Sequence, residues 1–125
     1  MSFHILVIDD DVEFRDYMSI LLNKNGYYVK AVDSGSTALS IIKSVIPNLI
    51  ITDLIMPDMD GLEIIRIIKS QYPKIKIMAV SGGGRIEPNM YLNLASNFKA
   101  DAILKKPFRN KVLLKKVKEL LQDNE

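Results

Sequence analysis

The chain has 125 residues, no cysteine, 48% hydrophobic and 26% charged residues, and a formal net charge of +2. That length suits one domain with one core, and the balance is that of a soluble globular protein rather than a disordered or fibrous one. The composition excludes disulfides, zinc–thiolate sites and thiol nucleophiles. The start MSFHILVIDD lacks a basic leader and the apolar runs stop after a few residues, so a single cytoplasmic domain over residues 1–125 is expected, with no membrane span and no output domain.

In chain order, Ile5 to Asp11 reads ILVIDDD, an apolar strand-like run that ends in carboxylates. Phe14, Met18, Leu21 and Leu22 then recur at helical spacing up to Gly26, a natural stop because glycine adopts the left-handed cap conformation cheaply. Asp11 suits the cap of this helix. Tyr27 to Val32 reads as a short strand. Ser34 suits the cap of a helix whose stripe is Ala38, Leu39, Ile42 and Val45, ended by Pro47. The next strand, Leu49 to Thr52, again ends in an acid, Asp53.

Pro57 to Gly61 is turn chemistry, with Asp58 and Asp60 explained as turn and cap residues before a helix carrying Leu62, Ile65 and Ile68. Ile75 to Val80 is nearly all apolar, as expected of a strand covered on both faces. A glycine loop, Gly82 to Gly84, leads to a helix expected from about Pro88 to Phe98. A strand from Asp101 to Leu104, a turn at Lys106 and Pro107, and a helix carrying Val112, Leu113, Val117, Leu120 and Leu121 complete the chain.

Five β-then-α units in alternation predict an α/β fold with a parallel sheet and helices on both faces. In such a sheet, ligands bind outside the carboxyl ends of strands where the strand order reverses. Asp9, Asp10 and Asp53 are therefore candidates for one divalent-metal cage. The basic run Lys105, Lys106, Arg109, Lys111, Lys115, Lys116 and Lys118 reads as the solvated face of a terminal helix rather than a nucleic-acid surface, because a single aromatic, Phe108, falls within it. His4 reads as a strand side chain without a partner.

The ordered set of Asp9 and Asp10 after the first strand, DLIMPDMDG from Asp53 to Gly61, Ser81 after the fourth strand and KPF at Lys106 to Phe108 resembles the bacterial response-regulator receiver domain over essentially the whole chain. The resemblance implies a flavodoxin-like, doubly wound sheet of order 2-1-3-4-5. It implies that Asp53 accepts a phosphoryl group from a histidine kinase or phosphotransfer protein, with Mg2+ held by Asp10, Asp53 and the backbone carbonyl of Ile55, and by Asp9 through bound water. Ser81 and Lys106 would contact the phosphoryl oxygens, and the Lys106–Pro107 peptide would be cis. A downstream protein partner would dock on the face of the helix after the fourth strand, the fifth strand and the final helix. Such a protein is a signalling phosphoacceptor rather than an enzyme acting on other substrates. Two departures stand out: Ile103 occupies a position that is often Tyr or Phe, and Lys99 one that is commonly glycine.

Asp9, Asp11 and Val12, with Ser81 and Lys106, also resemble the motifs of haloacid-dehalogenase-type phosphatases. Those enzymes need a further acidic pair soon after the lysine, and none follows Lys106. A flavodoxin-like cofactor binder would place hydroxyls and amides, not three aspartates, after the first strand. An unphosphorylated receiver-fold interaction module leaves the full set of site residues unexplained.

Overall fold

Central and edge strands are distinguishable by burial alone. In the computed structural model, which describes residues 2–54, 61–81, 93 and 97–123, β1 (His4–Ile8), β3 (Leu49–Asp53) and β4 (Lys76–Ser81) carry nearly unbroken buried runs, whereas β2 (Tyr28–Val32) and β5 (Ala102–Lys105) are partly exposed. Strands covered on both faces must lie inside a sheet, and half-covered ones at its edges. The five strands accordingly form one parallel sheet of order β2-β1-β3-β4-β5. The order implied by the resemblance is the one observed.

Side-chain alternation sends the strands' apolar residues to two layers. Leu6, Ile8, Ile50, Ile77 and Ala79 pack with residues of α2 (Gly35–Ile42) and α3 (Gly61–Gln71) on one face. Ile5, Val7, Ile51, Met78 and Val80 pack on the other with α1 (Val12–Lys24) and α4 (Asn110–Leu121). A 2.8 Å hydrogen bond from the Tyr27 hydroxyl to Asp123 ties Tyr27 to the segment just after α4. Burial, then that carboxylate, push the Tyr27 hydroxyl pKa upward. No helix among the described residues is long and apolar enough to cross a membrane.

Caps fall where the side chains favour them. Asp11 accepts the Glu13 N–H at 3.0 Å, Ser34 accepts the Thr37 N–H at 3.3 Å, and Gly26 after α1 takes a φ of 92°. The stripe expected to run to Val45 ends earlier: α2 stops at Ile42, Ser44 and Val45 turn back onto the Ile41 carbonyl, and Val45 is exposed. Proline disfavours the helical region at the residue before it, here Ile46, and the chain leaves the helix ahead of Pro47.

β5 starts at Ala102 rather than Asp101, whose carboxylate accepts the Ile77 N–H and pairs with Lys69. The left-handed backbone of Lys99, φ 62°, accounts for glycine being common at that position. The expected glycine loop Gly82–Gly84, the turn residues Met56, Pro57, Asp58 and Asp60, the Ile55 carbonyl and most of the helix expected from Pro88 lie outside the described residues.

Candidate phosphoacceptor and metal site

Strand register builds the site. Ile8 pairs with Thr52, Asp53 with Val80, and Ser81 with Lys105, so the carboxyl ends of β1, β3, β4 and β5 come level with one another. Two backbone bonds extend that edge beyond the strands, Leu54 N to Val80 O at 3.1 Å and Lys106 N to Ser81 O at 2.8 Å. Asp9, Asp10, Asp53, Ser81 and Lys106 therefore sit at neighbouring strand ends along one edge of the sheet.

One ligand oxygen from each of Asp9, Asp10 and Asp53 lies within 4.8 Å of the others. Asp9 is buried, at 1% exposure, Asp53 is half-buried and Asp10 is exposed. A buried carboxylate is tolerated when its oxygens are satisfied. Asp9 Oδ1 accepts the Asp11 N–H at 2.9 Å, and its Oδ2 accepts Lys106 Nζ at 2.9 Å. The Arg15 guanidinium donates to the Asp9 carbonyl at 2.8 Å and fixes the start of the acidic loop. Like charges this close disfavour one another, and a cation between them relieves the repulsion.

The donor set fits magnesium. All three ligands are hard carboxylate oxygens, the exposure of Asp10 leaves the cluster open to water, and magnesium keeps several waters when bound. The hydroxyl of Ser81, buried at the end of β4, has no hydrogen-bond partner among the described residues. A buried polar atom without a partner is costly in a resting protein, and here it lies level with the acidic edge.

Lys106 is aimed into this edge rather than out to solvent, and the Lys106–Pro107 peptide before Phe108 is cis. His4, at the opposite end of β1, stacks on Tyr28 at 5.2 Å between ring centroids and takes no part.

Gly61, which reads from sequence as a turn residue and the last position of DLIMPDMDG, has a steric role at the site. A Cβ on Gly61 would lie 2.1 Å from the Asp53 carbonyl oxygen and 2.6 Å from the Leu54 Cα. Only glycine lets the first turn of α3 pack against the backbone that carries Asp53. By its spacing Phe14 is one member of an apolar stripe, yet Lys106 Nζ sits 3.8 Å from its ring centroid. An apolar helix residue gives no local signal of such a contact, whereas Gly61 at the end of DLIMPDMDG does.

Residues 5–118 match the family model described as the response regulator receiver domain. The response regulator receiver protein CpdR of Brucella abortus is 33% identical over 118 residues, 94% of this chain and 95% of that protein. The DNA-binding response regulator MtrA of Mycolicibacterium smegmatis is 30% identical across the chain, which spans only 53% of that protein's length. Among solved structures, the chemotaxis response regulator CheY4 of Vibrio cholerae superposes with a TM-score of 0.86 at 28% identity, covering 97% of this chain and 100% of that one. A parallel sheet of this order, with its acidic residues gathered at the strand ends that the family's motifs mark, and a family match over nearly the full length lead to one conclusion: the chain belongs to the response regulator receiver domains of two-component systems.

Proposed function

We propose that the chain accepts a phosphoryl group on Asp53 from a phosphohistidine of a histidine kinase or phosphotransfer protein, and relays the signal through phosphorylation-dependent protein contacts. The observation that carries this reading is the meeting of Asp9, Asp10 and Asp53 with the Lys106 ammonium at one sheet edge. An Asp53 carboxylate oxygen attacks phosphorus, the phosphorus–nitrogen bond of the donor breaks, and its electron pair stays on the imidazole. The product is an acyl phosphate.

Asp10, Asp53 and the Ile55 carbonyl would hold magnesium directly, with Asp9 acting through water. The ion supplies charge screening for the transferring group, whose catalysis depends mainly on positioning and electrostatics. The Lys106 ammonium would bind a phosphoryl oxygen, and the Ser81 hydroxyl, without a partner among the described residues, would donate to another. The downstream partner would meet the face that includes β5 and α4. The DNA-binding description belongs to the whole of MtrA, about twice this chain's length, and the basic residues of α4 remain a solvated face in this reading.

The phosphatase alternative has no support in the residues after Lys106, where the next acid is Glu119, inside α4. Incubation with a small phosphodonor and magnesium, followed by intact-mass measurement, tests the proposal. One acid-stable, base-labile phosphoryl group is expected, absent from Asp53→Asn. Undiminished modification of that variant would overturn the assignment.

A further inference from the structure

We propose that Phe14 is a positioning residue for Lys106, its ring face keeping the ammonium at the acidic edge when a divalent cation draws on Asp9. The consequence for phosphoryl transfer rests on the reading of Asp53 as phosphoacceptor; the contact itself does not. A lysine head is a compact charge on a flexible four-carbon stem and needs anchoring to act at a fixed place. Among the described residues, Lys106 Nζ has two anchors, Asp9 Oδ2 at 2.9 Å and the Phe14 ring, with its centroid at 3.8 Å.

These anchors respond differently to magnesium. A hydrated divalent cation would draw on the Asp9 carboxylate through its bound water, and its charge would repel the ammonium. An aromatic ring is no ligand for a hard cation, so the attraction between the ammonium and the ring quadrupole survives metal binding. Without it, Lys106 would be free to swing toward solvent when it is needed beside the phosphoryl group.

The ring is held for this task from both sides. Phe14 meets Phe108 edge to face, with centroids 6.1 Å apart and planes at 86°, and Tyr17 at 6.1 Å and 47°. The Tyr17 hydroxyl donates to the side chain of Asn110, the first residue of α4. The ring's orientation is thus fixed jointly by α1 and by the segment that carries Lys106. Phe14, Tyr17, Lys106, Pro107 and Phe108 together line a groove of about 290 Å³.

Proton–carbon spectra of the full-length chain labelled on lysine test the contact. The Lys106 ε-methylene protons, assigned by their loss in Lys106→Ala, are expected upfield of the other lysines through the ring current. The shift should persist at saturating magnesium chloride, vanish in Phe14→Leu and remain in Phe14→Tyr. A shift that collapses when magnesium is added to the wild type would overturn the proposal, and this arm needs neither a variant fold nor phosphorylation.

With a small phosphodonor, Phe14→Leu should slow labelling about three- to tenfold, with recovery in Phe14→Tyr and no further loss in the Lys106→Ala background. The same slowing in that background would mean that Phe14 acts by packing alone, against the proposal. Labelling that persists in Asp53→Asn would instead sink the phosphoacceptor reading and leave the spectroscopic result standing. Asp53-dependent labelling with no effect of Phe14→Leu would overturn the positioning role alone.

Discussion

At the amino ends of β4 and β5, Lys69 and Asp101 form an ion pair of 2.7 Å; at the carboxyl ends of the strands, Lys106 and Asp9 form one of 2.9 Å. The first is closed. Asp101 also accepts the Ile77 N–H at 2.8 Å, and Lys69 also donates to the Ile75 carbonyl at 2.9 Å, so one positive and one negative charge tie α3 to β4 and to the start of β5. The second is open. Among the described residues, the Lys106 ammonium pairs with one of three clustered carboxylates, and the buried Ser81 hydroxyl lies at a neighbouring strand end. Similar ion-pair chemistry thus ties secondary structure at one end, where the charges balance, and leaves an acidic excess among the described residues at the other, where the proposed metal would bind.

The largest expected effect breaks the open end sterically. Gly61→Ala drives a Cβ into the Asp53 and Leu54 backbone, which cannot rotate away, and should destabilise the protein by about 3 kcal/mol in urea unfolding. A variant as stable as the wild type would show that α3 does not pack on Asp53 as described.

The second effect is electrostatic and carries opposite signs with and without metal. Magnesium at a hundredfold excess over its Kd should stabilise the wild type by roughly 2.7 kcal/mol. Asp10→Asn should lose most of that gain, while its metal-free melting temperature should hold or rise because a like charge has gone. A sharp fall in metal-free melting would contradict the charge imbalance.

Breaking the closed pair should lack this reversal. Asp101→Ala leaves the Lys69 ammonium and the Ile77 N–H short of a partner and should cost about 1–2 kcal/mol, the partial exposure of the pair tempering the loss. Magnesium should stabilise that variant as much as the wild type. A magnesium response that disappears in Asp101→Ala would mean the two ends are coupled.

The smallest effect lies just before Asp101. Lys99 holds a left-handed φ of 62°, a cost of about 1–2 kcal/mol that glycine avoids, although glycine gains roughly 0.5–1 kcal/mol of freedom in the unfolded chain. Lys99→Gly should therefore stabilise the protein by about 0.5 kcal/mol, and a destabilised variant would argue that the lysine side chain contributes more than its backbone costs.

These differences also explain what the sequence made legible. Apolar runs and caps are local signals, so the strands, Asp11, Ser34 and Gly26 could be placed from residue types alone. Strand neighbours are not local: nothing in the periodicity brings β1 beside β3, and the order came from the resemblance. Asp9, Asp10 and Asp53 were readable because carboxylates at the ends of buried strands need a cation. The role of Asp101 was not, because its partners Lys69 and Ile77 are far away in the chain. Phe14 was hidden for a related reason, since a ring facing an ammonium and a ring filling a core give the same helical spacing. The break in α2 before Val45 was foreshadowed by Pro47, whose influence reaches back through Ile46.

The central claim, that the unbalanced carboxyl end is a metal-dependent phosphoacceptor, is tested most directly by peptide mapping of the wild type after incubation with a small phosphodonor, with magnesium and with a chelator in parallel. The account predicts an acyl phosphate on Asp53 in the presence of magnesium and little or none with the chelator. Equal modification under both conditions, or modification located at another carboxylate, would contradict it.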